Sequence, residues 1–211
     1  GLYRFVYTTE PYIEIQSDWF IYIQQHLHIL SGFCLWHLLN YLQKHNPNVP
    51  NVVGKLFEPE TRNLTTARQF WRLVMKQMDT VHCIYSGLPV STSNFSLDHF
   101  LPWRFVTHDL LWNLIPVPKS VNSAKGDNLP NMQRYFDNFS QLQYQALQQV
   151  VNTASPQLLE DYAVLLKQDH MAKIQELPFE NFQAMLHDTI APQIQIARNM
   201  GFTADWSFTT L

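Results

Sequence analysis

The sequence predicts an α+β fold, mostly α-helical, in which a small hairpin-rich module is embedded between helical N- and C-terminal segments. Three observations carry this prediction. Leu35, Leu38, Leu39 and Leu42 recur at helical spacing, and Ala67, Phe70, Trp71, Val74 and Met78 do the same, which marks two amphipathic helices. Between residues 83 and 129 the period changes to short apolar runs, Cys83-Ile84-Tyr85, 95–101 and 114–117, punctuated by Gly87, Pro89, Ser91, Thr92, Ser93 and Asn94, the pattern of strands joined by turns. Helical pattern then returns with Leu158, Tyr162, Leu165 and Leu166. The expected segments are 1–79, 80–131 and 132–211, packed as one compact unit.

Taken in order, Tyr3, Phe5 and Tyr7 alternate like a short strand, and the residues before Ser17 stay ambiguous. The most apolar stretch, residues 29–42, is interrupted by Ser31, His37 and Asn40, so it is expected to be a buried helix rather than a membrane span. Asn46-Pro47-Asn48-Val49-Pro50-Asn51 is an exposed loop by its turn chemistry, and Thr65 or Thr66 is expected to cap the next helix. Pro118-Lys119-Ser120 opens a short helix that carries Asn122 and Lys125, whose spacing of three places them on one face. Ser155 is placed to cap and Pro156 to take the first position of a helix. A further helix is expected over residues 179–190, ended or bent by Pro192. Asp205-Trp206-Ser207-Phe208 receives no assignment, and no internal repeat is found.

Composition narrows the class. With 211 residues, 46% hydrophobic, 14% aromatic and 15% charged, the chain can fill one sizeable core, and disorder is excluded. The net charge of -3 provides no global attraction to nucleic acid, which basic proteins obtain by phosphate neutralisation. A local patch of Arg104, Lys119, Lys125 and Arg134 stands against Asp98, Asp109 and Asp127, so help with target selection is expected from a protein partner or a further domain. Cys34 and Cys83 are the only cysteines, too few for a disulfide framework or a zinc ribbon, and a reducing cytoplasmic compartment is expected. The first methionine is Met75; the chain is expected to be a piece of something larger, with no signal pattern read at its start and no membrane partner.

The chemistry concentrates in Asp98-His99, Asn113 and Asn122, the two carboxamides following His99 by fourteen and then nine residues. A carboxylate beside an imidazole, with carboxamides to follow, suits one hard cation and one general base acting on a phosphodiester. With Phe100-Leu101-Pro102, Leu114-Ile115-Pro116, Lys125 and residues 127–130, this stretch resembles the HNH, or ββα-metal, endonucleases, and among them the HNH domain branch of CRISPR RNA-guided nucleases. The resemblance covers residues 98–130, or 83–130 with the lead-in, and says nothing of the flanks.

The resemblance implies a DNA endonuclease, in a defence, restriction or mobile-element setting, that leaves 5′-phosphate and 3′-hydroxyl ends. His99 would be the general base, and Asp98 and Asn122 would hold Mg²⁺, with Mn²⁺ as a substitute. Asn113 would position the hairpin so that His99 faces the phosphate, without touching metal. Lys125, Arg104 and Lys119 would contact nucleic-acid phosphates. Asn122 at the third signature position weakens any expectation of zinc. The lead-in Cys83-Ile84-Tyr85-Ser86 lacks the CxxC of many relatives, so its hairpin is expected to rely on packing alone.

Blander roles remain for other residues. His82 is expected to be structural and His108 solvent-exposed, while His26, His28 and His37 are surface or satisfied core positions. Trp103 and Trp112 are expected to pack on the hairpin rather than stack on a base. The same site would serve an RNase, and a catalytically silent nucleic-acid-binding or scaffold module would keep the same shape. One site cuts one strand, so a double-strand break would need a dimer, a second nuclease domain or successive nicks. The oligomeric state is not legible.

Overall fold

The alternation of apolar side chains at the N-terminus forms a hairpin in the computed structural model, which describes residues 1–57, 64–168 and 171–209. Strand β1 (Tyr3–Val6) pairs antiparallel with β2 (Tyr12–Ile15), Tyr3 opposite Ile15 and Val6 opposite Tyr12. Arg4 and Glu14 face each other across the ladder and pair at 2.8 Å. Tyr7, counted above with the alternation, lies beyond the strand.

Helices α1 (Ser17–Gln25) and α2 (Leu27–His45) follow, interrupted at His26. The expectation that residues 29–42 form a helix is met, but the expected burial is not: no residue of α2 is buried, and Ile29, Phe33 and Trp36 are 72%, 62% and 61% exposed. Apolar residues are spread around this helix rather than gathered in one stripe, so no single face can cover them. Their aromatic contacts are local, Phe33 and Trp36 on His37 and Tyr41 on His45. Among the described residues no helix is long and apolar enough to cross a membrane.

The chain divides into two compact units, Gly1–Val52 and Val53–Leu211, where one unit was expected. Segments 80–131 and 132–211 fall in the same unit. A short helix α3 (Val52–Leu56) precedes α4 (Thr65–Gln77). Neither Thr65 nor Thr66 caps α4, because Leu64 occupies the cap position and Thr65 is already the first helical residue. The expected face is buried: Ala67, Phe70, Trp71 and Val74, joined by Met75.

The hairpin module is built from β3 (Ser96–His99) and β4 (Leu114–Val117), antiparallel, with Ser96 opposite Val117 and His99 opposite Leu114. Between them lie α5 (Trp103–Val106) and a 3-10 turn at Leu111–Asn113. Ahead of β3 the chain reverses tightly: Cys83 N–H donates to Leu88 and Gly87 N–H to Cys83, both at 2.8 Å. Gly87, at φ +72°, takes a conformation that a Cβ would strain. Helix α6 (Lys119–Lys125) starts directly after Pro118 and packs on β3.

Helix α7 (Met132–Val150) was not assigned from sequence. Its Asn131 cap accepts from Arg134 N–H at 2.9 Å, and its core face carries Tyr135, Phe139, Leu142, Ala146 and Val150. It packs on α4 and on α10 (Phe179–Asn199), while α8 (Glu160–Leu166) and α9 (Met171–Gln175) intervene in the chain. Ser155 and Pro156 do as expected, opening the 3-10 turn Pro156–Leu159 that leads into α8. Pro192, expected to end or bend its helix, lies inside α10, which continues to Asn199. Beyond it Ile194 and Ala197 are buried, and that packing offsets the one backbone bond a proline forfeits. The unassigned residues near 206 form a strap: Trp206 N–H donates to Leu129 and Asn131 N–H to Trp206, each at 2.9 Å. The architecture is α+β and mostly helical, with two two-stranded sheets among the described residues.

Candidate active site

Strand β3 ends on Asp98 and His99, and α6 folds back over it, so that Asn122 joins both in lining a cleft of about 310 Å³. Arg68, Trp103 and Asp127 line the same cleft. Three elements far apart in sequence, α4, β3 and α6, therefore supply one concave site.

Asp98 is 3% exposed, with one donor on each carboxylate oxygen. Its Oδ2 accepts from the Tyr85 hydroxyl at 2.9 Å and its Oδ1 from Lys125 Nζ at 3.2 Å. Burial pushes its carboxyl above the usual range, against the pull of the Lys125 charge and the two donors. Lys125 has no exposed surface and also donates to the His99 carbonyl at 2.6 Å. The expected phosphate contact of Lys125 is thereby corrected: its stem is enclosed and its charge is spent on Asp98.

His99 is held by Asp109, Nε2 to Oδ1 at 2.8 Å. A carboxylate in this place fixes the orientation of the imidazole ring. Asn113, wholly buried, accepts from Leu101 N–H at 2.8 Å and returns a bond to Leu101 O at 2.9 Å. The Asn113 carbonyl also accepts from Phe100 N–H at 2.8 Å. The backbone just after His99 is thus locked to the turn before β4.

Other candidates scatter. Arg104 is exposed and lines neighbouring clefts, 3.9 Å from Asp127, and Lys119 is exposed on the first turn of α6; neither lines the cleft of Asp98. His108, expected to be solvent-exposed, is half-buried, and among the described residues its Nδ1 finds no hydrogen-bond partner. Burial, with His99 nearby, pushes it down to about 4. Trp112 packs against His108 as expected of a hairpin residue, while Trp103 lines the cleft. The lead-in hairpin relies on more than packing, because Tyr85 adds its hydrogen bond to Asp98. Sequence reasoning missed Tyr85, Arg68 and the role of Asp109. Asp109 was visible only as one more charge in the loop after His99.

One carboxylate and one carboxamide oxygen in an open cleft fit a hard cation that keeps water and substrate oxygens as its other ligands. Among the described residues no three His, Cys, Asp or Glu side chains cluster to hold a metal by themselves. A carboxylate-oriented imidazole beside such oxygen donors is the equipment of a metal-assisted phosphodiester hydrolase. Residues 83–131 match the family model described as HNH endonuclease. No curated protein and no solved structure matches the chain.

Proposed function

We propose that the chain is a DNA endonuclease in which His99 is the general base and one Mg²⁺ is held by Asp98 and the Asn122 carboxamide oxygen. The observation that carries this reading is the meeting of those three side chains in one cleft inside the family-matched segment. The His99 imidazole takes a proton from the water that attacks phosphorus, and Asp109 stabilises the imidazolium that forms. Asn113 keeps the backbone after His99 in place, so the ring meets the water at a fixed distance. Arg68, lining the cleft, is suited to a phosphate oxygen of the substrate, and Arg104 and Lys119 to phosphates further along the strand. When bound, the cation supplies Lewis-acid stabilisation of charge on the phosphate and on the departing 3′ oxygen. The products are a 5′-phosphate and a 3′-hydroxyl, and Mn²⁺ substitutes for Mg²⁺.

The net charge of -3 gives weak intrinsic grip on DNA, so target choice falls to a protein partner or a further domain. Two free cysteines suit work in a reducing, cytoplasmic compartment.

Supercoiled plasmid, single-stranded DNA and RNA, incubated with the chain and Mg²⁺ or EDTA, test the assignment. DNA nicking that requires the metal is expected, and Asn122→Ala is expected to need at least about 10-fold more Mg²⁺, as loss of a ligand implies. An unchanged metal requirement in that variant removes Asn122 from the ligand set, and preferential cleavage of RNA reassigns the substrate.

A further inference from the structure

The side chains around Asp98 do more than neutralise it. Tyr85, Asp98 and Lys125 are 5%, 3% and 0% exposed, and the two donors take different oxygens of the one carboxylate. A carboxylate with a single donor can swing about its Cβ–Cγ bond; with a donor on each oxygen its plane is fixed. Asp98 is among the residues lining the cleft, and each of its oxygens keeps a further lone pair beyond its one donor. Lys125 also grips the His99 carbonyl at 2.6 Å. It stands three residues after Asn122 on α6, so one buried ammonium ties the backbone of the base and the carboxylate to the helix of the second oxygen donor.

Tyr85 is itself held from outside the family-matched segment. Its ring meets Tyr135 at 5.0 Å and Trp206 at 5.2 Å, both edge to face. Trp206 belongs to the strap bonded to Leu129 and Asn131. A line of contacts therefore runs from the C-terminal strap through the Tyr85 hydroxyl to Asp98.

We infer that Tyr85 and Lys125 are positioning residues that fix the Asp98 carboxylate for a divalent cation, with Trp206 holding the Tyr85 ring. This rests on the reading of Asp98 as a ligand. The two donors differ in a useful way. Lys125 brings a charge that opposes a nearby cation, so its removal mixes lost orientation with lost repulsion. Tyr85 is neutral and acts through orientation alone, and Tyr85→Phe keeps its ring and aromatic contacts.

The deciding experiment titrates the full chain with Mn²⁺ alone, reading free Mn²⁺ by electron paramagnetic resonance at a temperature below the melting point of every variant. Tyr85→Phe is expected to weaken Mn²⁺ binding about 10-fold or more, the usual cost of losing a group that orients a ligand. Trp206→Phe, which leaves the Tyr85 hydroxyl in place but loosens its ring, is expected to show a smaller loss in the same direction. Asp98→Asn is the control and is expected to lose the site. If Asp98→Asn loses Mn²⁺ while Tyr85→Phe binds it as the wild type does, the ligand reading stands and the positioning role is overturned. If Asp98→Asn binds Mn²⁺ normally, the ligand reading fails and the inference fails with it.

Discussion

Lys125 shows what a one-dimensional pattern can and cannot say about a charged residue. Its spacing from Asn122 identifies a shared helix face, but not that the end of this face is sealed by β3, where the ammonium has no exposure and binds Asp98. The structure brings the candidates Asp98, His99 and Asn122 to one cleft, a grouping the sequence suggested because the residue types are few and their spacing is local. Tyr85, Arg68 and Asp109 were not legible, since only the folded chain brings a turn, a helix and a loop against them. His108 was misread for the same reason. Burial holds its imidazole at about 4, below the ordinary 6.5, so the unfolded chain takes up this proton first as the pH falls. Stability is lost between about pH 6.5 and pH 4, by at most roughly 3 kcal/mol for the full shift. His108→Gln is expected to shed about 2 kcal/mol less than the wild type between pH 7 and pH 4.5 in urea unfolding. Equal losses would show that His108 does not carry this part of the acid sensitivity.

At the level of elements, periodicity located helices well where the buried face was wholly apolar, as in α4. It missed α7, although Tyr135, Phe139, Leu142, Ala146 and Val150 keep a spacing of three or four, because polar Ser140 and Gln143 sit on the same buried face. Gln143 is paid its hydrogen bonds there: it donates to Leu114 O at 2.9 Å and accepts from Tyr162. In α2 the reverse held, an apolar run without a buried side. The passage of α10 through Pro192 carries its own prediction. An interior proline costs a helix up to about 3 kcal/mol by removing an N–H and crowding the preceding turn. Pro192→Ala, restoring a donor to the carbonyl of Asp188, is expected to stabilise the chain by about 1–3 kcal/mol in urea unfolding. A neutral or destabilising result would mean that the proline ring at position 192 is needed to seat Ile194 and Ala197.

At the scale of the molecule, the family-matched segment is not self-sufficient. Trp71 of α4 and Gln143 of α7 both donate to the Leu114 carbonyl on β4, and the strap at Trp206 closes on Leu129. The hairpin of this segment is thus braced by helices and a C-terminal strap that the motif itself does not contain; of these braces α4 was legible in the sequence, while α7 and the strap were not. With a net charge of -3 and a single arginine in the cleft among the described residues, the proposed contact with DNA rests on few phosphates, and low ionic strength is the condition in which the proposed cleavage is expected to show. The measurement that bears hardest on the mechanism compares plasmid nicking by wild type and His99→Ala at saturating Mg²⁺ and low salt, with Mn²⁺ binding followed on the same samples. Loss of nicking by at least about 100-fold with metal binding retained is expected of a general base. Nicking by His99→Ala within a few-fold of the wild type would take the base away from His99 and the mechanism with it.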